Sequence, residues 1–310
     1  MENYTTNECE KLANDETLPL YPIGMPSIYR VRKDEDGIDE SNPKSFSYIQ
    51  DSTRILRYRF NREGEQVLYT STTPNVAVGE TLENFNGNFY IGKWRNNNPE
   101  SNFNSFVALD ENCSKDLKSN SRKIREEIKT HFSKAELERI DCLRNILEKD
   151  YSKVPKADKY KESSILASKI LEVADCILSY SAKNDKELNV TFNKKSTDEL
   201  LVLECVYYCG PLKDKMSLAY DVKKIGLVEN GKIVWYKWEV NMESLKWLDD
   251  NQEGVDPAQY LAINKYARFH KYVNLNNDLC SLHIGYIQSQ TDINWVNYEI
   301  QLILDNEKYN

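Results

Sequence analysis

The sequence predicts an α+β protein in which strands come first, helices follow and strands return. Short or alternating apolar runs typical of strands fill the first third and the C-terminal region, whereas helical periodicity dominates the middle. This segregation differs from the regular alternation of a doubly wound parallel sheet. With 310 residues, a hydrophobic fraction of 40%, 11 glycines and 9 prolines, the chain has the composition of a folded protein with a substantial core.

The first third is predicted to be a polar arm followed by four short strands. The arm covers residues 1–20, which are polar. Beyond it, apolar runs bounded by turn-forming residues predict strands around a loop rich in Asp, Glu, Asn and Ser. Asn96-Asn97-Asn98-Pro99 is a turn sequence between the last two strands. The predicted strands are 28–32, 66–71, 89–94 and 103–109.

The middle of the chain is predicted to be helical, from about residue 115 to residue 177. Ser133 with Glu136 forms a capping box that marks the start of one helix. Its apolar face contains Leu137, Ile140, Leu143 and Leu147. A second helix is predicted after Pro155, with an apolar stripe formed by Ile165, Leu166, Ile170, Val173 and Ile177.

Strand patterns return after the helices. Residues 188–192 and 200–208 are predicted strands, and residues 225–228 and 233–238 flank Asn230-Gly231, a strong signal for a type I′ hairpin. One more helix is expected to begin at Asp256 and Pro257. The chain then closes on an alternating strand pattern made by Tyr298, Ile300, Leu302 and Leu304.

Charge and hydropathy disfavour two classes of partner. The net charge of −8 disfavours sequence-independent binding to nucleic acid. A basic run is interpreted as the solvated face of a helix, with a nucleic-acid contact as the alternative. No stretch approaches the roughly 18 apolar residues of a membrane-spanning helix, and the N-terminus lacks the basic and apolar regions of a signal peptide, so we expect a cytoplasmic protein. The basic run comprises Lys115, Lys118, Arg122, Lys123, Arg125 and Lys129.

Cysteine and histidine positions give no basis for a metal site. Of the seven cysteines, only Cys205 and Cys209 are close in sequence, and they lie in an apolar run. That arrangement favours buried thiols over a disulfide framework or a zinc site. The three histidines, His131, His270 and His283, show no ligand spacing. We therefore predict no bound metal.

A short segment carries arginine, tyrosine and glutamate in a distinctive order. Tyr29-Arg30 lies in the first predicted strand, Arg59-Phe60-Asn61 is followed by Gly64 in a polar turn, and Leu68-Tyr69 lies on the next strand. Glu80 follows Tyr69 by eleven residues, at the start of the next element. This set resembles the opening of the RES domain, a family of bacterial NAD⁺-degrading toxins. Taken alone, a glutamate at a helix start is explained by its interaction with the helix dipole, so the order of the residues carries the resemblance.

A second set of residues is similar to a later element of the same family. In that element a helix runs into a strand that ends at a serine, and an asparagine follows several residues later. The matching residues here are Ile177 to Ser181 followed by Leu188-Asn189-Val190. The resemblance implies a mixed β core like that of ADP-ribosyltransferases over residues 21–210, with a helical insertion at about 115–154. Residues 211–310 carry no pattern that resembles an element of the family. We expect a β-rich extension that completes the same core, with a role in control of activity as the alternative.

The resemblance implies that NAD⁺ is a substrate, with no separate cofactor, and that its nicotinamide–ribose bond is broken. Because nicotinamide leaves as a neutral molecule, no general acid is needed and the barrier lies in forming an oxocarbenium-like sugar. Glu80 would stabilise that positive charge. Arg30 and Arg59 would hold the pyrophosphate, and Tyr69 would offer a flat face to the nicotinamide. The other expected substrate-binding residues are Tyr29, Asn61, Ser181 and Asn189.

Three functions remain open at this point. The first is an NAD⁺ glycohydrolase or phosphorylase that acts as a growth-inhibiting toxin or defence effector. The second is an ADP-ribosyltransferase that modifies a protein or nucleic acid through the same pocket. The third is a nucleotide-sensing module without turnover. The family resemblance also implies an antitoxin or other inhibitor protein as a partner.

Overall fold

A computed structural model describes eleven segments of the chain, which divide into two units. The first unit comprises described residues up to Val206 and the second those from Tyr207 onward. The predicted polar arm lies almost wholly outside the described residues, as does the predicted helix at Asp256. The described residues are 18–25, 27–82, 85–109, 120–148, 159–181, 188–212, 220, 222–240, 273–276, 279–285 and 297–304.

The first unit is built on a mostly antiparallel sheet with the strand order β1-β5-β6-β7-β3-β2-β4-β8. Strands β5 and β6 are parallel, and the described residues of the connection between them form three helices. The chain passes into the second unit within β8. The strands are β1 (Tyr21–Ile23), β2 (Ile28–Lys33), β3 (Val67–Ser71), β4 (Phe89–Asn96), β5 (Phe103–Ala108), β6 (Cys176–Tyr180), β7 (Leu188–Asn193) and β8 (Leu201–Cys209).

The four strands expected in the first third of the chain are confirmed as β2, β3, β4 and β5. Gly64 has a φ of 76°, in the left-handed region that favours glycine, and this fits its place in the turn before β3. The core of this unit combines aliphatic and aromatic residues, and Phe103 of β5 contacts Phe192 of β7 edge to face at 5.1 Å between ring centroids.

The described residues of the first unit form five α-helices. Ser133 and Glu136 form the predicted capping box of α3, and Ile140, Leu143 and Leu147 are buried as expected. The short helix α5 was not predicted; the side chain of Asn193 accepts a hydrogen bond from the Ser196 N–H at its start. The helices are α1 (Pro74–Thr81), α2 (Asn120–His131), α3 (Lys134–Leu147), α4 (Lys161–Val173) and α5 (Lys194–Leu200), with 3₁₀ turns at Asp34–Asp36, Pro43–Phe46 and Ser52–Arg54.

The predicted extension of the second helix to Ile177 is wrong. Helix α4 ends at Val173, whose side chain is 61% exposed, and Ile177 lies in β6. Ala174 turns into extended backbone, and the Asp175 carboxylate accepts hydrogen bonds from the Asn104 N–H and the Ser196 hydroxyl at the start of β6. All five residues of β6 are buried. A short, fully buried strand has no alternation, so periodicity alone cannot separate it from a helix.

The second unit contains an antiparallel sheet with the order β9-β10-β13-β12-β11. The predicted hairpin is confirmed, because Asn230 and Gly231 both have positive φ angles, 48° and 78°, as a type I′ turn requires. The expected closing strand is confirmed as β13. The strands are β9 (Val222–Glu229), β10 (Lys232–Val240), β11 (Val273–Asn276), β12 (Leu279–Gly285) and β13 (Asn297–Leu304).

The described residues thus combine large mostly-β sheets with several helices, which agrees with the α+β prediction. Within these residues, no helix is both long and apolar enough to cross a membrane. Among the described cysteine side chains, Cys176, Cys205 and Cys209 are buried thiols and Cys142 is half-buried, with no disulfide between them.

Candidate active site

A cavity of about 670 Å³ opens where the sheet of the first unit is weakly joined. Strands β2 and β3 are paired at one residue pair only, Tyr29 with Ser71. Continued pairing in this register would bring Val31 opposite Tyr69. Instead, the Arg30 guanidinium Nη1 donates to the Tyr69 carbonyl at 3.2 Å, so a side chain takes a place that a β2 backbone amide would hold. Residues of both strands line the cavity, whose volume suits a small-molecule ligand.

Glu80 lines this cavity from the last turn of α1. The sequence had suggested that Glu80 stands at the start of a helix, and this position is wrong. Thr73 caps the helix through a hydrogen bond from the Val76 N–H, and Pro74 takes the first helical position. Near a helix C-terminus the dipole disfavours a carboxylate, so interaction with the helix dipole does not explain Glu80.

Two side chains donate hydrogen bonds to the Glu80 carboxylate. The Ser181 hydroxyl lies 2.6 Å from Glu80 Oε1, and Asn189 Nδ2 lies 3.1 Å from the same oxygen. Ser181 follows the end of β6 and Asn189 lies near the start of β7, the antiparallel neighbour of β6. The Glu80 carboxylate is therefore held where β6 ends and β7 begins, at the same end of two adjacent strands.

Hydrogen bonds to both the oxygen and the nitrogen of the Asn189 side-chain amide fix its orientation. The Ser71 hydroxyl donates to Asn189 Oδ1 at 2.7 Å, and Ser71 and Asn189 are register partners in the β3–β7 pair. Because the amide oxygen accepts from Ser71, the amide nitrogen faces Glu80 and donates to it. Ser71 was not predicted as a site residue, although it shares a strand face with Tyr69 two positions earlier.

The turn from Tyr58 to Asn61 is held rigidly beside the cavity. The Asn61 side chain, in a residue only 1% exposed, donates to the Leu56 and Arg62 carbonyls at 2.9 and 2.7 Å and accepts from the Tyr69 hydroxyl at 2.9 Å. The Tyr69 oxygen in turn accepts from the Phe60 N–H at 3.1 Å. Burial raises the pKa of Tyr69 above its usual value, which keeps the phenol protonated as a donor.

Arg59, carried by this turn, forms an ion pair with a carboxylate from the helical region. Its Nη1 lies 3.2 Å from Oε2 of Glu148, which directly follows α3. The guanidinium also lies 5.8 Å from the Phe60 ring centroid. The other carboxylate oxygen of Glu148 is buried and has no hydrogen-bond partner among the described residues. Burial raises the pKa of Glu148, although the charges of Arg59 and Arg144 oppose that shift.

Replacing Glu148 by glutamine is expected to strengthen anion binding at Arg59. The ionised carboxylate competes with a bound anion for the guanidinium, and the neutral form does not. Affinity in the wild type should therefore fall as pH rises through the raised pKa of Glu148, while Glu148→Gln should bind several-fold more tightly at neutral pH and lose that dependence. Calorimetric titration with ADP-ribose between pH 5 and 8 measures both effects, since its phosphate charges do not titrate in this range.

The matched control for this prediction is Glu138→Gln, which removes an exposed carboxylate of α3, the helix that Glu148 directly follows. Glu138 pairs with Lys134. It should leave the affinity and its pH dependence unchanged. An unaltered pH dependence in Glu148→Gln would contradict the competition between Glu148 and the ligand.

The charge around the cavity is strongly positive although the protein carries a net charge of −8. Among the described residues, the carboxylates that line it are Glu65 and Glu80. Such a concentration of cations in one concave site favours an anionic ligand. Among the described residues, no group of three or more His, Cys, Asp and Glu side chains could hold a metal ion. The cationic lining residues are Arg30, Arg32, Lys33, Arg54 and Arg59.

The residues expected from the sequence to form the site lie together. Ser181 touches Glu80, and the other expected residues line the cavity. Tyr29 is only 4% exposed; its side chain is hydrogen-bonded to Ser27, and its backbone pairs with that of Ser71. The lining residues expected from the sequence are Tyr29, Arg30, Arg59, Asn61, Tyr69, Glu80 and Asn189.

The sequence did not indicate Glu148, Tyr58 or Tyr160 as parts of the site. Glu148 comes from the region interpreted as an insertion and meets Arg59 only through folding. Tyr58 stands beside Arg59, and Tyr160 precedes α4; both line the cavity. No local pattern marks a tyrosine in a loop as a cavity residue, so these contributions needed the structure.

Comparison with protein-family models, with curated proteins and with solved structures found no match to this chain. The similarity to RES domains therefore depends on the order of the quoted residues alone. The hydrogen-bonded Glu80 carboxylate and the cationic lining of the cavity are the physical observations from which a function can be proposed.

Proposed function

We propose that the chain breaks the nicotinamide–ribose bond of NAD⁺ in this cavity, as an enzyme of the RES type with a core like that of ADP-ribosyltransferases. The observation that carries the proposal is the Glu80 carboxylate, held by Ser181 and Asn189 in a cavity lined by Arg30 and Arg59. A fixed carboxylate beside several cations suits a substrate that combines a sugar with a pyrophosphate. We propose that the protein acts in the cytoplasm, where NAD⁺ is available.

In the proposed reaction the bond between the ribose C1′ and the nicotinamide nitrogen breaks, and its electron pair leaves with neutral nicotinamide. The positive charge that develops on the sugar is stabilised by Glu80, which the two donors hold in place before the substrate arrives. A water or phosphate oxygen then bonds to C1′; water loses a proton to solvent in this step. The acceptor determines whether ADP-ribose or ADP-ribose-1-phosphate is formed.

The remaining residues bind the substrate. Arg30 and Arg59 contact the pyrophosphate through charge-assisted hydrogen bonds. The Tyr69 hydroxyl is committed to Asn61 and Phe60, which leaves its ring to stack on nicotinamide. Within a cell such an enzyme would deplete NAD⁺ and inhibit growth, which would call for an inhibitor protein that holds it in check.

Product analysis tests this proposal directly. The purified chain is incubated with NAD⁺, with and without phosphate and with a cell extract, and the products are identified by mass spectrometry. We expect nicotinamide together with ADP-ribose or, with phosphate, ADP-ribose-1-phosphate. Nicotinamide release with a modified macromolecule would instead identify an ADP-ribosyltransferase. Intact NAD⁺ under all conditions would overturn the proposed activity and favour a nucleotide-sensing module.

A further inference from the structure

We propose that Tyr58 and Tyr160 form a stacking site for the adenine base in the same cavity. This inference rests on the proposed function, because it assigns the part of the ligand that Glu80 and the arginines do not contact. Both tyrosines line the cavity, and none of the roles derived above uses either of them.

Tyr58 is exposed to an unusual extent for a large aromatic side chain. It is 51% exposed and borders the cavity, while its backbone N–H donates to the Asn61 carbonyl at 3.1 Å. Asn61 is itself fixed by three side-chain hydrogen bonds. The ring is thus exposed on a rigid support, the arrangement that lets an aromatic residue stack on a ligand with little loss of conformational entropy.

The position of Tyr58 relative to Arg59 fits the adenosine half of the ligand. The two residues are adjacent in the chain, so their Cα atoms are about 3.8 Å apart. In NAD⁺ and ADP-ribose one ribose separates the adenine from the pyrophosphate. A turn that offers a guanidinium to the pyrophosphate can therefore offer its neighbouring ring to the base.

Tyr160 is the second tyrosine of the proposed site; it lines the same cavity, and its backbone is strained. Its φ of 64° lies in the left-handed region that bulky residues avoid, at the residue before α4. Such strain persists where the surrounding structure requires it, and strained residues cluster at functional sites. Lys159 Nζ lies 5.0 Å from the Tyr160 ring centroid, which adds a positive charge near the cavity wall.

Binding of two ligands separates the base from the phosphates. ADP-ribose and inorganic pyrophosphate are titrated into the wild type and into Tyr58→Ala, Tyr58→Leu and Tyr58→Phe. Because stacking of a base on an aromatic side chain depends on the ring, Tyr58→Ala and Tyr58→Leu should weaken ADP-ribose binding about tenfold. Their pyrophosphate affinity should change less than twofold, and Tyr58→Phe should behave as the wild type.

Leu56→Ala is the matched control, because Leu56 is 63% exposed in the same loop and does not line the cavity. It should bind both ligands as the wild type does. Tyr160→Ala should reproduce the selective loss of ADP-ribose affinity and so tests the second tyrosine independently.

The outcomes distinguish this inference from the proposed function. If the wild type binds ADP-ribose and both Tyr58→Ala and Tyr160→Ala bind it equally well, the adenine site is wrong while NAD⁺ cleavage can still stand. Equal weakening of ADP-ribose and pyrophosphate in both variants would also overturn it, since the tyrosines would then act on the phosphate site. A wild type that binds neither ligand would overturn the adenine site, whereas NAD⁺ cleavage is overturned only if NAD⁺ stays intact in the product analysis.

Discussion

Glu80→Gln is expected to lower the rate of NAD⁺ cleavage by about 10²- to 10³-fold, in the range observed when one preorganised electrostatic group is removed. Glutamine has the shape of glutamate, and its amide oxygen can still accept from Ser181 and Asn189. Only the negative charge that stabilises the sugar cation is lost. The measurement is the rate of nicotinamide release at saturating NAD⁺, together with the affinity for ADP-ribose, which should change little.

Glu65→Gln is the control for that experiment, because Glu65 is the other carboxylate that lines the cavity within the described part of the chain. Its Oε2 accepts from the Arg62 N–H at 2.8 Å, a bond that glutamine can keep. The Glu65 variant should retain nearly full activity. If Glu80→Gln cleaved NAD⁺ at the wild-type rate, or if the Glu65 variant alone were inactive, the assignment of the reacting carboxylate would be wrong.

Asn61→Ala is expected to destabilise the first unit by about 3 kcal/mol, because it leaves the Leu56 and Arg62 carbonyls and the Tyr69 hydroxyl without their shared partner. Activity should fall as well, since the turn that positions Arg59 loses its anchor. Pulse proteolysis in urea, with mass spectrometry of peptides from residues 18–206, reports the stability of this unit within the full chain.

A suitable comparison for this variant is Asn104→Ala, which replaces an exposed asparagine on β5. The Asn104 backbone N–H donates to Asp175, and that bond survives the change. Its stability should stay within about 0.5 kcal/mol of the wild type. If Asn61→Ala unfolded at the wild-type urea concentration, the Asn61 network would not stabilise the turn.

Local sequence patterns predicted most of the helices and strands, because several of these elements combine an apolar periodicity with a cap or turn motif. Ser133 and Glu136 start α3 where the capping box indicated, and Asn230-Gly231 forms the hairpin turn that its sequence requires. Ile177 shows where such patterns fail. Its strand is buried on both faces, so apolar residues follow one another without the alternation that identifies a half-exposed strand.

The candidate site was predictable as a set of residues and not as an arrangement. Arg59, Tyr69 and Glu80 stand in a recognisable order, but that order does not show that the Tyr69 hydroxyl holds the turn instead of facing a ligand. The contact of Glu148 with Arg59 spans 89 residues of sequence. Contacts of that range depend on the packing of whole elements, which no local motif encodes.

The single backbone pair between Tyr29 and Ser71 has a thermodynamic consequence for the sheet. A ligand that contacts Arg30 on one side of this junction and the edge of β3 on the other would act as a reversible crosslink between the two parts of the sheet. Its binding free energy would add to the cohesion of the first unit, by RT ln(1 + [L]/Kd) for a ligand that binds only the folded state. The resistance of this unit to heat would then follow the concentration of nucleotide around it.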